Sequence, residues 1–309
     1  MRSNPADYEL IAPGKLQAVI QLLTNEPGQW LPIAGGTDVM VQYVAGKLAA
    51  RKLVSIWNLP ELRGIETLPD VIRIGAASTY TELREHAVIT REFPLLASAA
   101  RWTGGIANQN RGTIGGNIVN ASPAADSLPA LLAYEAELIL VSVRGERRVS
   151  YLDFHTAYKK MNLAPDELIQ TICLERRFSG YLQYSRKVGT RNAQAISKIC
   201  IAALGRLRGG MAHGELGDAI GSEVDDVRIA VGSVAPVPLR LQQVERIVKG
   251  KSVGSELIHL ARKAAAAAIR PIDDIRSTAR YRSAVTANLV AEFLQQLGAT
   301  APRRESPYE

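Results

Sequence analysis

Cysteine is scarce in this 309-residue chain, with Cys173 and Cys200 the two present. Both lie in apolar stretches, "QTICLE" and "SKICIAA". They read as buried free thiols, which fits a reducing compartment. An iron–sulfur cluster needs about four thiolates, so two isolated cysteines exclude one here. The histidines His86, His155, His213 and His259 are scattered, with no metal-ligand spacing and no evident catalytic triad. Aromatic residues make up 6%, and the basic residues behind the formal charge of +7 form no run. That pattern argues against nucleic acid. It favours a solvated basic surface with attraction for phosphates or an acidic partner subunit. No apolar run approaches membrane-spanning length, and "MRSNPADYEL" has no apolar signal region, so a cytoplasmic location is expected. The fingerprints G-x-G-x-x-G and G-x-x-x-x-G-K-[ST] are missing, which disfavours a Rossmann dehydrogenase and a P-loop NTPase.

What is present is an ordinary globular composition, 47% hydrophobic and 22% charged, in a chain long enough for two or three compact units. The first unit, residues 1–57, reads as helix ("LQAVIQLLTNE"), short strand ("WLPIA"), glycine turn, helix ("VMVQYVAG") and strand ("KLVSIW"). The second, residues 58–176, opens with the strand "VIRIGAAST". A capping box, Thr79 with Glu82, then starts the helix "YTELREHAVI". "FPLLASAARWTG" continues as helix, and "AELILVSV" with "RRVSY" forms a hairpin around Gly145 and Glu146. The third, residues 180–298, has three strand patterns, "YLQYSRKV", "SKICIAALGRL" and "DVRIAVGSV", followed by helices. The tail, 299–309, reads as polar and frayed.

Two glycine turns stand out. In "PIAGGTD" a buried strand meets two glycines and a helix start. Bare amides and a helix N-terminus there suit phosphate oxygens, and Thr37 adds a hydroxyl. The plainer alternative is a tight strand-to-helix turn with Asp38 as a first-turn acid. "TIGGN" again sets two glycines between a hydroxyl and an amide, with a β-bulge or loop as the alternative. Two such loops from neighbouring units suit a pyrophosphate held between them. Asp126 suits a ribose or ribityl hydroxyl, or else caps the helix "SLPALL".

The ordered set "AGGTD", "NRGTIGGNIVNASPAAD", "LAPDELI", "YSRKVGTRNAQAISK", "IAVGSVAPVPLRLQQVE" and "RSTARYRSAVTANLV" resembles the FAD-binding medium subunit of the molybdenum hydroxylases. That family includes the flavoprotein parts of xanthine and carbon monoxide dehydrogenases. The resemblance spans nearly the whole chain and implies an α+β fold. Two FAD-binding subdomains of the vanillyl-alcohol oxidase (PCMH) type precede a C-terminal α+β domain with a three-stranded antiparallel sheet and helices. By the same resemblance, Ile33, Ala34, Gly35, Gly36, Thr37 and Asp38 wrap the FAD pyrophosphate, and Thr113, Ile114, Gly115, Gly116 and Asn117 do so from the other side. Asp126 contacts the ribityl or adenosine end, Leu163 packs near the isoalloxazine, and Lys187 lies at the flavin's polar edge, where a cation stabilises the reduced, anionic ring. Thr103 stands where eukaryotic members carry an aromatic residue against the cofactor, with Trp102 beside it.

The implied function is electron transfer. Electrons arrive from a [2Fe–2S] small subunit and leave through FAD to NAD⁺ or another acceptor. A large subunit with the molybdenum cofactor acts on the organic substrate. The alternatives are a self-sufficient flavin oxidase of the vanillyl-alcohol type, or a flavin-free binding or assembly protein.

Overall fold

The computed structural model describes residues 4–191, 194–208 and 223–299. After β1 (Glu9–Ile11), α1 (Leu16–Asn25) buries Leu16, Val19, Ile20 and Leu23 on one face, as their spacing predicts. β2 (Trp30–Ile33), α2 (Val39–Val44) and β3 (Lys52–Ser55) follow. The three strands make a parallel sheet in the order β1-β3-β2. β1 escapes a sequence reading because three residues show no period. In the β2–β3 pair Ile33 lies opposite Ser55, so the Gly35 turn and Trp57 leave the sheet together, at its carboxyl end.

The second sheet begins with β4 (Ile65–Thr67) and β5 (Val71–Gly75). A run of helices crosses it: α3 (Tyr80–Glu85), α4 (Ala87–Glu92), α5 (Pro94–Trp102), α6 (Ile106–Gln109), α7 (Ile114–Asn120) and α8 (Ser127–Ala133). β6 (Glu137–Ser142) and β7 (Gly145–Ser150) come next, then the small pair β8 (His155–Ala157) and β9 (Lys160–Met161), then β10 (Leu168–Glu175). The order β4-β5-β10-β6-β7 is antiparallel throughout. β6 is covered on both faces. Leu138 and Leu140 enter the core beneath the helices, and Val141 joins the core of α1.

The capping box forms as expected: the Thr79 amide donates to Glu82 Oε2 at 2.6 Å, and the Glu82 amide donates to Thr79 Oγ1 at 3.2 Å. The helix it opens is shorter than expected. His86, with an extended backbone, ends α3, and its Nδ1 accepts from the Ile89 amide at the start of α4. The hairpin turns at residues 143–144 rather than around Gly145 and Glu146, because Ser142 already pairs with Gly145.

β11 (Leu182–Val188), β12 (Ile199–Leu207), β13 (Val224–Gly232) and β14 (Leu239–Arg240) form an antiparallel sheet in chain order. α9 (Gln242–Val248), α10 (Ser255–Ala268) and α11 (Ala279–Ala299) pack against it. The sheet has four strands where the sequence predicts three. β14 is two residues long, directly after Pro238, and too short to alternate. Of the expected tail, the residues beyond Ala299 lie outside the described residues. The architecture is α+β, and among the described residues no helix is long and apolar enough to cross a membrane.

α8 is the piece that joins the second and third sheets. Every residue in it is buried, and it packs on both β12 and β13. Fully burying a leucine is worth about 1.5–3 kcal/mol, so Leu128 and Leu131 hold α8 firmly in the seam. Asp126, directly before α8, is carried into the seam with it.

A half-buried ion pair ties the helices to the second sheet. Arg176 donates through Nε and Nη2 to both oxygens of Glu92, each at 2.8 Å. The Arg176 guanidinium holds the Glu92 carboxyl down at about 2, against an ordinary value of 4.5. Because the folded value is the lower one, the stabilisation is complete above pH 4.5 and is lost as pH falls toward 2. Urea unfolding at descending pH checks this: Glu92→Gln is expected to be less stable at neutral pH and to show a flatter decline in acid.

Candidate functional site

The turn after β2 has a chain of unsatisfied donors. The amides of Ala34, Gly35, Gly36, Thr37 and Asp38 have no protein acceptor among the described residues. Gly36 has φ +75°, which a side chain rarely adopts, and this turns the backbone so that the amides follow a curve. Gly35 makes the close approach. A Cβ on it would lie 1.6 Å from the Arg111 carbonyl oxygen, so this turn touches the chain just before "TIGGN". Asp38 does not cap α2; its carboxylate accepts from Gln42 at 2.7 Å and from Asn120 at 3.4 Å.

The second turn looks alike in sequence and differs in structure. It is neither a bulge nor a loop but the first turn of α7. Thr113 caps the helix, its Oγ1 accepting from the Gly116 amide at 3.2 Å. The Ile114 amide donates to Ser78 and the Gly115 amide to Ala76, which stitches the turn onto the chain leaving β5. The Asn117 amide donates to Thr113. Ile114 is fully buried and belongs to the core. The two-turn clasp expected from the sequence is therefore unequal: the first turn has free amides, while the second offers the exposed face of Gly116. With six and seven residues, α2 and α7 are also too short for a large dipole; the amides themselves are what the first turn offers.

Asp126, Lys187, Thr103 and Asn117 come together at the seam. Asp126 does not cap α8. Lys187 Nζ donates to Asp126 Oδ2 at 2.6 Å and to the Trp102 carbonyl at 2.9 Å, and Ser197 Oγ donates to Asp126 Oδ1. The two charged side chains are 7% and 11% exposed, which makes this a buried pair between the α8 segment and β11. Burial pushes the Asp126 carboxyl up, and the Lys187 ammonium pulls it back. Cys200, paired with Lys187 across β11 and β12, lies beneath, its thiol pushed up by burial. Thr103 ends α5 beside Trp102, with its hydroxyl donating to Ala99. Ser127 donates to Asn117 Oδ1 at 2.7 Å, which links the seam to α7.

The far end of α7 is pinned as well. His155 Nε2 lies 2.9 Å from the Ile118 carbonyl, which can only accept, so Nε2 carries the proton. Leu163, half-buried, packs on the core to which Ile114 belongs and stands apart from the hydrogen-bonded group at the seam. Sequence reasoning passed over Ser197, Trp57 and Arg111. Arg111 stands inside the quoted motif, but its stacking on Trp57 is a contact that no local spacing reveals.

Comparison with known proteins fits this geometry. Residues 6–174 match the family described as FAD binding domain in molybdopterin dehydrogenase. The chain belongs to this family. Residues 184–297 match the CO dehydrogenase flavoprotein C-terminal domain. The FAD-binding chain is 31% identical to the xanthine dehydrogenase FAD-binding subunit of Escherichia coli O157:H7, over 93% of this chain and 94% of the relative. It is 27% identical to the glyceraldehyde dehydrogenase medium chain of Sulfolobus acidocaldarius, over 95% and 99%. Among solved structures it superimposes on a carbon monoxide dehydrogenase chain from Hydrogenophaga pseudoflava with a TM-score of 0.87 and 26% identity, covering 98% of this chain and all of that one. This is thus an FAD-binding subunit of an oxidoreductase of the molybdenum hydroxylase type.

The residues present fit FAD. A curved run of free amides accommodates a phosphate group, and the glycine that bears it allows a second chain segment to close against it.

Proposed function

We propose that this chain is the electron-transfer subunit of its complex, with FAD between the units 1–57 and 58–176 and the unit 180–298 closing over the seam. Electrons come from a [2Fe–2S] small subunit and go on to NAD⁺ or another acceptor, while the large partner carries the molybdenum cofactor. The location is cytoplasmic. The single observation that carries this reading is the run of free amides from Ala34 to Asp38, set against the Arg111 backbone by Gly35.

FAD, when bound, supplies chemistry that links one-electron and two-electron transfer. The chain's own residues bind and orient it. The amides at 34–38 take the pyrophosphate oxygens, and Thr37 adds a hydroxyl. The exposed face of Gly116 gives the same group room. Leu163 covers the apolar ring, and Thr103 leaves space beside it. Lys187, fixed by Asp126 and the Trp102 carbonyl, holds a proton and a positive charge near the ring's polar edge, where negative charge develops on reduction. Asp126 fixes Lys187 and, with one protein donor on each oxygen, keeps lone pairs for a ribityl hydroxyl.

The test is reconstitution. The purified chain is expected to take up FAD with the two-band visible absorption of oxidised flavin and to release it on denaturation. Anaerobic addition of the chemically reduced [2Fe–2S] partner is expected to bleach those bands. A colourless chain that takes up no FAD, or bands that the reduced partner leaves intact, would contradict the proposal.

A further inference from the structure

We infer that Arg111 completes the pyrophosphate site, as the cation that faces the free amides of residues 34–38 from the opposite turn. The inference rests on the FAD reading above and adds a residue that the sequence motifs do not assign.

Position comes first. The Arg111 carbonyl occupies the place where a Gly35 side chain would start, so its main chain is in contact with the amide-bearing turn. Its guanidinium lies 3.8 Å above the Trp57 ring. Trp57 and the Gly35 turn leave the carboxyl ends of the adjacent parallel strands β3 and β2. Ligands of open parallel sheets bind outside that edge. The stack on the indole orders the side chain while its edge N–H groups remain available to a phosphate.

Charge comes second. A pyrophosphate inside a protein needs cations, and Lys187, Arg63 and Lys159 each already have protein acceptors, Lys159 through Asn120. Lys187 is engaged by Asp126 at 2.6 Å. Arg63, on the same indole at 4.1 Å, donates to the Trp57 carbonyl and lies 3.7 Å from Glu82. Arg111 makes no ion pair among the described residues. Donors come third. The second turn's amides at Ile114, Gly115, Gly116 and Asn117 all have protein acceptors. Beyond the Thr113 amide, any strong donor from that side is a side chain, and Arg111 directly precedes the turn. A guanidinium fork matches phosphate oxygens two at a time.

The experiment is titration of the full chain, stripped of flavin, with FAD, followed by quenching of flavin fluorescence at low and at physiological salt. Arg111→Gln is expected to weaken FAD binding about tenfold or more, the loss of a charge-assisted contact. It is also expected to flatten the salt dependence, since the screened charge is gone. Arg111→Lys keeps the charge without the fork and falls between. Lys263→Gln removes an equal charge from the exposed side of α10 and is expected to bind FAD like the parent chain. The position is exposed, so all variants fold, with unchanged circular dichroism. Arg111→Gln binding FAD like the parent, or losing no more than Lys263→Gln, overturns the inference while the FAD reading stands. A parent chain that takes up no FAD overturns both.

Discussion

Lys187→Met is expected to lower the stability of the chain by about 3–5 kcal/mol, because it strands the Asp126 carboxylate in the seam without its cation. Asp126 is 7% exposed, with Ser197 and the buried Cys200 thiol as its remaining charge-stabilising donors. The double variant Lys187→Met/Asp126→Asn is expected to recover most of the loss. A buried ion pair has little net value over a neutral pair, while half a pair is costly. Urea unfolding of the parent, both single variants and the double variant measures this directly. A Lys187→Met chain as stable as its parent would mean that the pair is solvated and that Asp126 is free for another role. The pair also joins the two segments matched by different families, so its loss is expected to loosen the C-terminal sheet first, which proteolysis between residues 176 and 184 would register.

Gly35→Ala is expected to have the second large effect. The new Cβ would meet the Arg111 carbonyl oxygen at 1.6 Å, its carbon at 2.5 Å and the Gly112 nitrogen at 3.2 Å. All three are backbone atoms, so no side chain can rotate away. The two turns must part, at a cost of about 3 kcal/mol, the upper end for overpacking. FAD uptake is expected to fall below detection, because the amides at 34–38 lose their position relative to the second turn. Gly14→Ala serves as the control: it meets nothing within 4 Å and its φ is ordinary, so it should leave both quantities unchanged or raise stability slightly. Thermal unfolding and an FAD titration separate the two substitutions. Equal behaviour would show that the turn contact does not form in solution.

Some of this was legible in the sequence for clear physical reasons. The capping box at Thr79 and Glu82 is a local signal three residues wide, and α1 announces itself by spacing. The two glycine turns and Asp126 were readable as residue types suited to phosphate and hydroxyl groups, while Lys187 entered only through the family resemblance. What was not readable depends on contacts between distant residues. Asp126 and Lys187 are 61 positions apart, so a reading that gave each its own ligand contact could not see that they neutralise one another. "AGGTD" and "TIGGN" look interchangeable in sequence. The first has free amides because the chain there leaves a sheet; in the second the amides from Ile114 to Asn117 are bonded, stitched in part to Ala76 and Ser78. β14 was too short to alternate, and one helix split in two because His86 takes an extended backbone.

The central claim is that FAD binds through the amides of residues 34–38. Hydrogen–deuterium exchange of the purified chain with and without FAD tests it most directly, because those amides have no protein acceptor of their own. The account predicts fast exchange at 34–38 in the flavin-free chain and strong protection once FAD is bound. It predicts little change at 114–117, where the amides are already bonded. Saturating FAD that leaves residues 34–38 exchanging as fast as before would contradict it.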